Sequence, residues 1–166
     1  LQMISHGLIT ALFFALIGMI YSRTHTRIIH NMGGLLKVVP VLGVSYLIAG
    51  FASLGLPGFS AFVAEMTIFV GAFENYDLFT RVSTVLVVSS IVITAVYILR
   101  AAGIMLMGPI KNMEFETLPD ARWYDKVAVF LLIAVIAGIG FFPNWLIDII
   151  YTDLGPMFDR MANQIF

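Results

Sequence analysis

The chain has 166 residues, of which 60% are hydrophobic and 11% are charged, with a net charge of −1 and a mean hydropathy of +0.98. Soluble domains average roughly 45–50% apolar and 25% charged residues, so this composition indicates an integral membrane protein. The near-neutral charge disfavours a nucleic-acid partner, which would require a basic face. The sequence lacks cysteine, which excludes disulfides, thiolate-bound iron–sulfur clusters and a thiol nucleophile.

Motifs for cofactor and metal binding are also missing from the sequence. It contains neither a glycine-rich nucleotide motif nor a P-loop, and its three histidines do not have the spacing of a metal-binding pair. We therefore expect no cofactor site and no metal site on this chain.

The first predicted span covers residues 1–21, LQMISHGLITALFFALIGMIY. It lacks the basic start and the cleavage site of a signal peptide, so we expect a helix that continues upstream in a longer protein. His6 is the only ionisable side chain in this span and lies roughly 20–25 Å from the basic surface at Arg23, in the outer half of the bilayer. Two interpretations of His6 stay open: a proton-relay residue that titrates near neutral pH, or a hydrogen-bonded histidine near a helix end.

The next segment, residues 22–40, is a basic loop that marks a membrane surface. It contains Arg23, Arg27 and Lys37 and a Gly33-Gly34 turn. We interpret the two histidines of this loop as solvated residues without a role in a site.

The central apolar stretch, residues 41–73, carries one charge, Glu65, and one interruption, Gly55-Leu56-Pro57-Gly58. As a continuous helix it would be ~50 Å long, although a bilayer core is only ~30 Å thick. Pro57 removes a backbone donor and disfavours helix at Leu56, so we predict two half-helices that meet inside the membrane. A carboxylate at membrane depth costs ~2.5 kcal/mol or more and is seldom kept without a partner or a role. Glu65 beside the break therefore predicts an ion path, whereas the alternative is a kink that serves packing only.

Two further spans complete the predicted architecture. A short acidic turn at residues 74–77 precedes a third span at 78–107, and a fourth span is predicted at 123–151. We expect the tail after residue 151 to be mildly amphipathic and to form no long helix. The sequence thus predicts one all-α membrane region over residues 1–166, with four transmembrane spans of which the second is discontinuous.

The distribution of lysine and arginine predicts the orientation of these spans. By the positive-inside rule, the loops at 22–40 and 108–122 are cytoplasmic, and the acidic turn and the C-terminus lie outside. The opposite face has only Arg81 and Arg160. The basic face has Arg23, Arg27, Lys37, Lys111, Arg122 and Lys126, and we expect the Arg100 side chain to extend to it.

Four motifs in this order, QMISHGL, HTR, GLPG and FVAE, resemble the C-terminal part of the antiporter-like membrane subunits of proton-pumping NADH:quinone oxidoreductase, respiratory complex I. Within that group the chain is most similar to the M subunit, called chain 4 in mitochondria. The L and N subunits usually have lysine where this chain has Glu65, and L has a long amphipathic helix after its last span. The similarity covers nearly all of the chain and weakens after the third span.

The resemblance implies a larger fold of two inverted repeats, each with an interrupted helix, of which this chain is a C-terminal fragment. It implies that Glu65 takes part in proton release toward the outside and that His6 belongs to the same half-channel. NADH, flavin, iron–sulfur clusters and quinone would be bound by partner subunits. The implied partners are the L- and N-type subunits, small membrane subunits and the lipid bilayer. The implied location is an energy-transducing membrane, which we expect to be a bacterial cytoplasmic membrane.

The resemblance thus implies a proton-translocating subunit of an oxidoreductase that carries no redox catalysis itself. Two alternatives remain open from the sequence. One is a subunit of a multisubunit sodium/proton antiporter, which belongs to the same superfamily. The other is a structural membrane module in which the break serves only packing.

Overall fold

A computed structural model describes the backbone of residues 1–74 and 77–165 and the side chains of residues 1–74, 77–157 and 160. Asn75 and Tyr76, at the centre of the predicted acidic turn, lie outside the described residues. Within those ranges the chain is all-helical apart from turns and loops, with two short 3-10 segments. The α-helices are α1 (Gln2–Thr24), α2 (Leu35–Val38), α3 (Pro40–Ser53), α4 (Ser60–Glu74), α5 (Leu78–Leu106), α6 (Trp123–Phe141) and α7 (Asn144–Ile165).

Three of the described helices, α1, α5 and α6, are long and apolar enough to cross a membrane, and α3 is a shorter apolar helix. The chain is a multi-pass membrane protein. Helix α1 extends past the predicted end at residue 21 and stops at Thr24. It stops there because His25 adopts a left-handed conformation (φ 51°), in which its N–H donates to the Tyr21 carbonyl at 2.8 Å.

The central stretch forms two helices, and residues 54–59 between them form an irregular turn. Gly55 (φ +64°) and Gly58 (φ +99°) both have positive φ, which glycine adopts without the steric penalty of a Cβ atom. The sequence LPG thus stops α3, and α4 begins again at Ser60. The interruption predicted at residues 55–58 lies within this turn.

The fourth predicted span, 123–151, is wrong beyond Phe141, where α6 ends. Pro143 has no N–H to donate and disfavours helical backbone at the preceding residue, and Phe142 accordingly leaves the helix at φ −128° and ψ 64°. A separate helix, α7, starts at Asn144 and runs for 22 residues. The expectation that the tail forms no long helix is therefore also wrong.

The packed core lies between α1, α3, α4 and α6. One face of α1 contributes Ile9, Leu12, Leu16 and Ile20 to it. Small buried residues on the facing helices allow their backbones to approach closely, as is typical where helices pack in membranes. These residues include Ala49 and Ala52 of α3 and Ala61 and Ala64 of α4. Gly140 of α6, which is half-buried, also allows a close approach to the turn after α3.

The two basic loops meet at one end of the bundle. The Gly34 N–H donates to the Met107 carbonyl at 3.0 Å, and Lys111 Nζ donates to the His30 carbonyl at 2.9 Å. The loop before α6 also reaches the start of α3, where the Val41 N–H donates to Asp120 Oδ2 at 3.0 Å. The loops that the lysine and arginine distribution assigns to one face therefore share one end of the structure.

Helix α5 packs against its neighbours over only a small part of its length. Its buried residues are Thr84, Ala102, Met105 and Leu106. Apolar side chains along most of the helix are exposed, including Leu78 and Phe79 at its start. Its N-terminus is capped by Asp77, whose Oδ2 accepts from the Thr80 N–H at 3.0 Å and from the Thr80 hydroxyl, and these bonds lower the pKa of the Asp77 carboxyl. A surface this apolar calls for lipid or another membrane helix.

Candidate functional site

The carboxylate of Glu65 lies against the break between α3 and α4. Glu65 belongs to α4, yet its side chain reaches back to Gly55. A methyl group on the Gly55 Cα would lie 3.1 Å from Glu65 Cδ and 3.6 Å from Oε1, and it would overlap Oε2. Glu65 is half-buried, and no hydrogen bond or ion pair to it is found among the described residues. The structure therefore brings together Glu65 and the break, which the sequence analysis had selected separately.

The turn at residues 54–59 satisfies part of its own backbone. The Leu54 N–H donates to the Gly50 carbonyl at 3.1 Å, and the Leu56 N–H donates to the Phe51 carbonyl at 3.3 Å. The Phe59 N–H closes a further turn on the Leu56 carbonyl at 3.2 Å. Irregular backbone at membrane depth requires such partners because lipid supplies none. The break is thus an ordered turn that can hold a side chain at a fixed position.

The C-terminal end of α6 covers the break. A Cβ atom on Gly140 would lie 2.6 Å from the carbonyl carbon of Phe59 and would overlap the Gly58 carbonyl. The ring of Phe141 lies beside Gly58, where an added Cβ atom would be 3.3 Å from the ring. A residue larger than glycine at position 140 would therefore push α6 away from the turn.

His6 lies on the exposed side of α1 and is not joined to Glu65 by a hydrogen bond in the described structure. Its Nε2 is 3.5 Å from Thr10 Oγ1, which is long for a hydrogen bond. The adjacent residue, Ser5, is buried, and its hydroxyl lies 2.7 Å from the Ser60 hydroxyl. Helix α1 is thus tied to the start of α4 by a pair of serines. This pair could not be predicted from the sequence, in which its signal was two hydroxyls beside residues already selected.

A second polar cluster, also missed from the sequence, lies at the basic end of the bundle. Arg23 Nη2 donates to Asp125 Oδ2 at 2.8 Å, and their side chains are 9% and 12% exposed. Arg23 also donates to the carbonyls of Met19 (2.7 Å), Pro119 (2.8 Å) and Asp120 (3.3 Å). Arg23 is therefore a buried structural link, although the sequence analysis interpreted it as a surface charge.

A groove of about 530 Å³ opens beside this cluster. Arg23, Arg122 and Tyr124 line it, and neither Glu65 nor the break contributes to its lining. Among the described residues, no group of three or more His, Asp or Glu side chains could hold a metal ion. Glu65 is the carboxylate that meets the break in the described part of the chain, and the chemistry that it can supply there is proton or cation binding.

Comparison with known families decides where this fold belongs. The profile of the family described as NADH:quinone oxidoreductase/Mrp antiporter, TM matches residues 1–94, which include α1, the break, Glu65 and the first part of α5. The chain belongs to this family. The resemblance found in the four sequence motifs is thereby confirmed.

Several curated proteins are similar to the chain over most of its length. The NAD(P)H-quinone oxidoreductase chain 4 of Acaryochloris marina is 39% identical over 150 residues, which is 87% of this chain and 28% of the relative. A chain 4 protein of Thermosynechococcus vestitus is 36% identical over 96% of this chain and 31% of the relative. One from Synechococcus elongatus is 34% identical over 99% of this chain and 32% of the relative. The chain spans about a third of the length of these relatives.

Proposed function

We propose that this chain is part of a proton-translocating membrane subunit of an NAD(P)H:quinone oxidoreductase and contributes the outward-facing proton half-channel. The observation that carries the proposal is the carboxylate of Glu65 seated at an ordered helix break. Membership of the family and similarity to chain 4 proteins support the assignment to an oxidoreductase complex.

The physical basis of the role is the two charge states of one carboxylate. Removing a carboxylate from water favours its neutral form, and a cation that approaches favours the anion. A change of charge on a neighbouring residue can therefore load or unload a proton at Glu65. His6 serves in this scheme as a relay residue on the adjacent helix, although no hydrogen bond joins it to Glu65 in the described structure.

The proposal includes a topology. Helices α1, α5 and α6 each cross the membrane, and α3 and α4 together make a fourth, discontinuous crossing. The loops at residues 25–34 and 107–122 face the cytoplasm of a bacterial cell, and the C-terminus lies outside. Their shared position at one end of the bundle supports this arrangement, as do the six lysines and arginines near them.

Electron transfer belongs to partner subunits in this proposal. NADH, flavin, iron–sulfur clusters and quinone would be held there, because this chain has no cysteine and no nucleotide motif. Coupling to proton movement would then arrive through conformation and charge. The exposed apolar side of α5 is a contact surface for lipid or for the L- and N-type and small membrane subunits.

The test is Glu65→Gln in the full-length subunit, assembled in its complex. Glutamine keeps the shape and can hydrogen-bond but cannot titrate, so proton pumping and coupled electron transfer should fall while the amount of assembled complex stays unchanged. Glu65→Asp should keep part of the activity because aspartate titrates in a similar range. His6→Ala should have a smaller effect, since water can replace one relay member. Proton uptake into inverted membrane vesicles, driven by NADH or NADPH, provides the measurement.

Glu74→Gln is the matched control, since Glu74 is exposed at the end of the same helix. It should leave pumping unchanged. A Glu65→Gln complex that assembles and pumps at the wild-type proton-to-electron ratio would refute the proposed role. Proton uptake that needs sodium and no reductant would instead identify a sodium/proton antiporter.

A further inference from the structure

The contact between Glu65 and Gly55 joins two residues that ordinary helix geometry would keep apart. Glu65 lies in the second turn of α4, and Gly55 lies just after the end of α3. Both carboxylate oxygens and Cδ of Glu65 lie within 4 Å of the point where a Cβ atom at residue 55 would be. The side chain therefore points back along α4 and ends at the break.

Two independent features favour glycine at position 55. Its φ of +64° is unfavourable for a residue with a side chain, and the Cβ atom of any such residue would occupy the place of the carboxylate. Other glycines have a positive φ but do not contact Glu65. Gly108 also has a positive φ (+85°), but an added Cβ atom there would have no atom within 4 Å beyond its immediate chain neighbours. Gly58 (φ +99°) faces the Phe141 ring and not Glu65.

We propose that Gly55 is a positioning residue whose missing side chain forms the seat for the Glu65 carboxylate at the helix break. The proposal rests on the proposed function of Glu65 and adds where its proton is exchanged. A seated carboxylate gains and loses its proton at the turn of residues 54–59, between the two half-helices. The proton then leaves along the part of α4 that runs toward the outside, and it is not exchanged there.

The experiment is a double-mutant cycle of Gly55→Ala and Glu65→Asp in the full-length subunit, assembled in its complex. The Gly55→Ala methyl group displaces the carboxylate, and the rate of redox-driven proton uptake per assembled complex should fall roughly tenfold or more, because misplacing a reacting group by about 1 Å can cost as much as a hundredfold. Glu65→Asp withdraws the carboxylate by about one carbon–carbon bond, ~1.5 Å. The double variant should therefore pump faster than Gly55→Ala alone.

Gly108→Ala is the control for backbone strain without a new contact. In that background Glu65→Asp should lower pumping by the same factor as in the wild type. If Glu65→Asp has an equal effect in the Gly55→Ala and wild-type backgrounds, the seat does not exist and the proposal is overturned.

Assembly supplies a second measurement in case Gly55→Ala prevents the complex from forming. Relief of the overlap by Glu65→Asp should then restore assembled complex on a native gel to the level of Gly108→Ala, which carries positive-φ strain without the overlap. Failure to reach that level overturns the proposal. The two proposals fail separately. Normal pumping by Glu65→Gln would remove the proton-carrying role of Glu65, whereas rescue of Gly55→Ala by Glu65→Asp would still report the seat.

Discussion

The guanidinium of Arg23 joins three parts of the chain at the basic end of the bundle. It contacts the last turn of its own helix, the loop at residues 119–120 and the first turn of α6. Arginine can do this because its planar group carries five donors in a fixed geometry, whereas lysine has a single ammonium point charge. Loss of these bonds would remove a donor from the Pro119 and Asp120 carbonyls and would leave Asp125 Oδ2 with the Arg122 N–H, 3.1 Å away.

We expect Arg23→Lys to destabilise the subunit by about 1.5–3 kcal/mol, because lysine keeps the positive charge but loses hydrogen bonds that the guanidinium makes to Asp125 and the loop carbonyls. Thermal unfolding of the purified complex in detergent, or its yield after extraction, would measure this loss. Arg27→Lys is the control: Arg27 is exposed and lies 4.8 Å from the centre of the Tyr21 ring. Equal stability of the two variants would contradict the structural role of Arg23.

The sequence could reveal Glu65 but not the partners of Arg23. A lone carboxylate within an apolar run has a cost that is evident without coordinates. The Arg23–Asp125 pair joins residues 102 positions apart, and the Ser5–Ser60 pair joins residues 55 positions apart. Such pairings depend on which helices become neighbours, and a single sequence does not contain that information. The seat of Glu65 on Gly55 was hidden for the same reason, since helical register alone would place the side chain farther from the break.

At the scale of the elements, the packing of α6 on the break depends on Gly140. We expect Gly140→Ala to force α6 and the turn apart at a cost of about 1–3 kcal/mol, the usual range for overpacking. The melting temperature of the assembled complex should fall, and pumping should fall with it, because the turn that holds Glu65 would move.

Gly138→Ala provides the control on the same helix. An added Cβ atom at Gly138 would have no atom within 4 Å beyond its own stretch of helix, so this variant should be neutral or stabilised by up to about 1 kcal/mol through its higher helix propensity. A Gly140→Ala complex as stable as the Gly138→Ala complex would show that the close approach of α6 is unimportant.

Helix boundaries could be predicted from the sequence only where a proline was interpreted as the end of a helix. Pro57 and Pro143 each lie between two helices. The first was interpreted as a break, whereas the second was included inside the predicted span 123–151. The apolar residues on both sides of Pro143 conceal the stop, because composition alone does not distinguish a kinked span from two helices. The length of α7 was underestimated because the helix starts just after the stop at Pro143.

At the scale of the whole molecule, the structure gathers the basic loops at one end, and the positive-inside rule then assigns that end to the cytoplasm. We expect a cysteine at exposed His30 to react with a membrane-impermeant maleimide only in inverted vesicles, and one at exposed Thr152 only in intact cells. The natural absence of cysteine from residues 1–166 gives this part of the protein a clean background. Labelling of both positions from the same side would contradict the topology.

The interruption of the central stretch also bears on how the protein enters the membrane during synthesis. Helices α3 and α4 have 14 and 15 residues, so each is about 21–23 Å long, short of the ~30 Å hydrocarbon core. Neither can leave the insertion machinery alone as a stable span, and their connecting turn cannot face lipid. We therefore expect the two halves to be released together, against an α1 that is already in place and whose Ser5 can receive Ser60. The break would thus determine the order in which the helices enter the membrane, with α1 before α3 and α4.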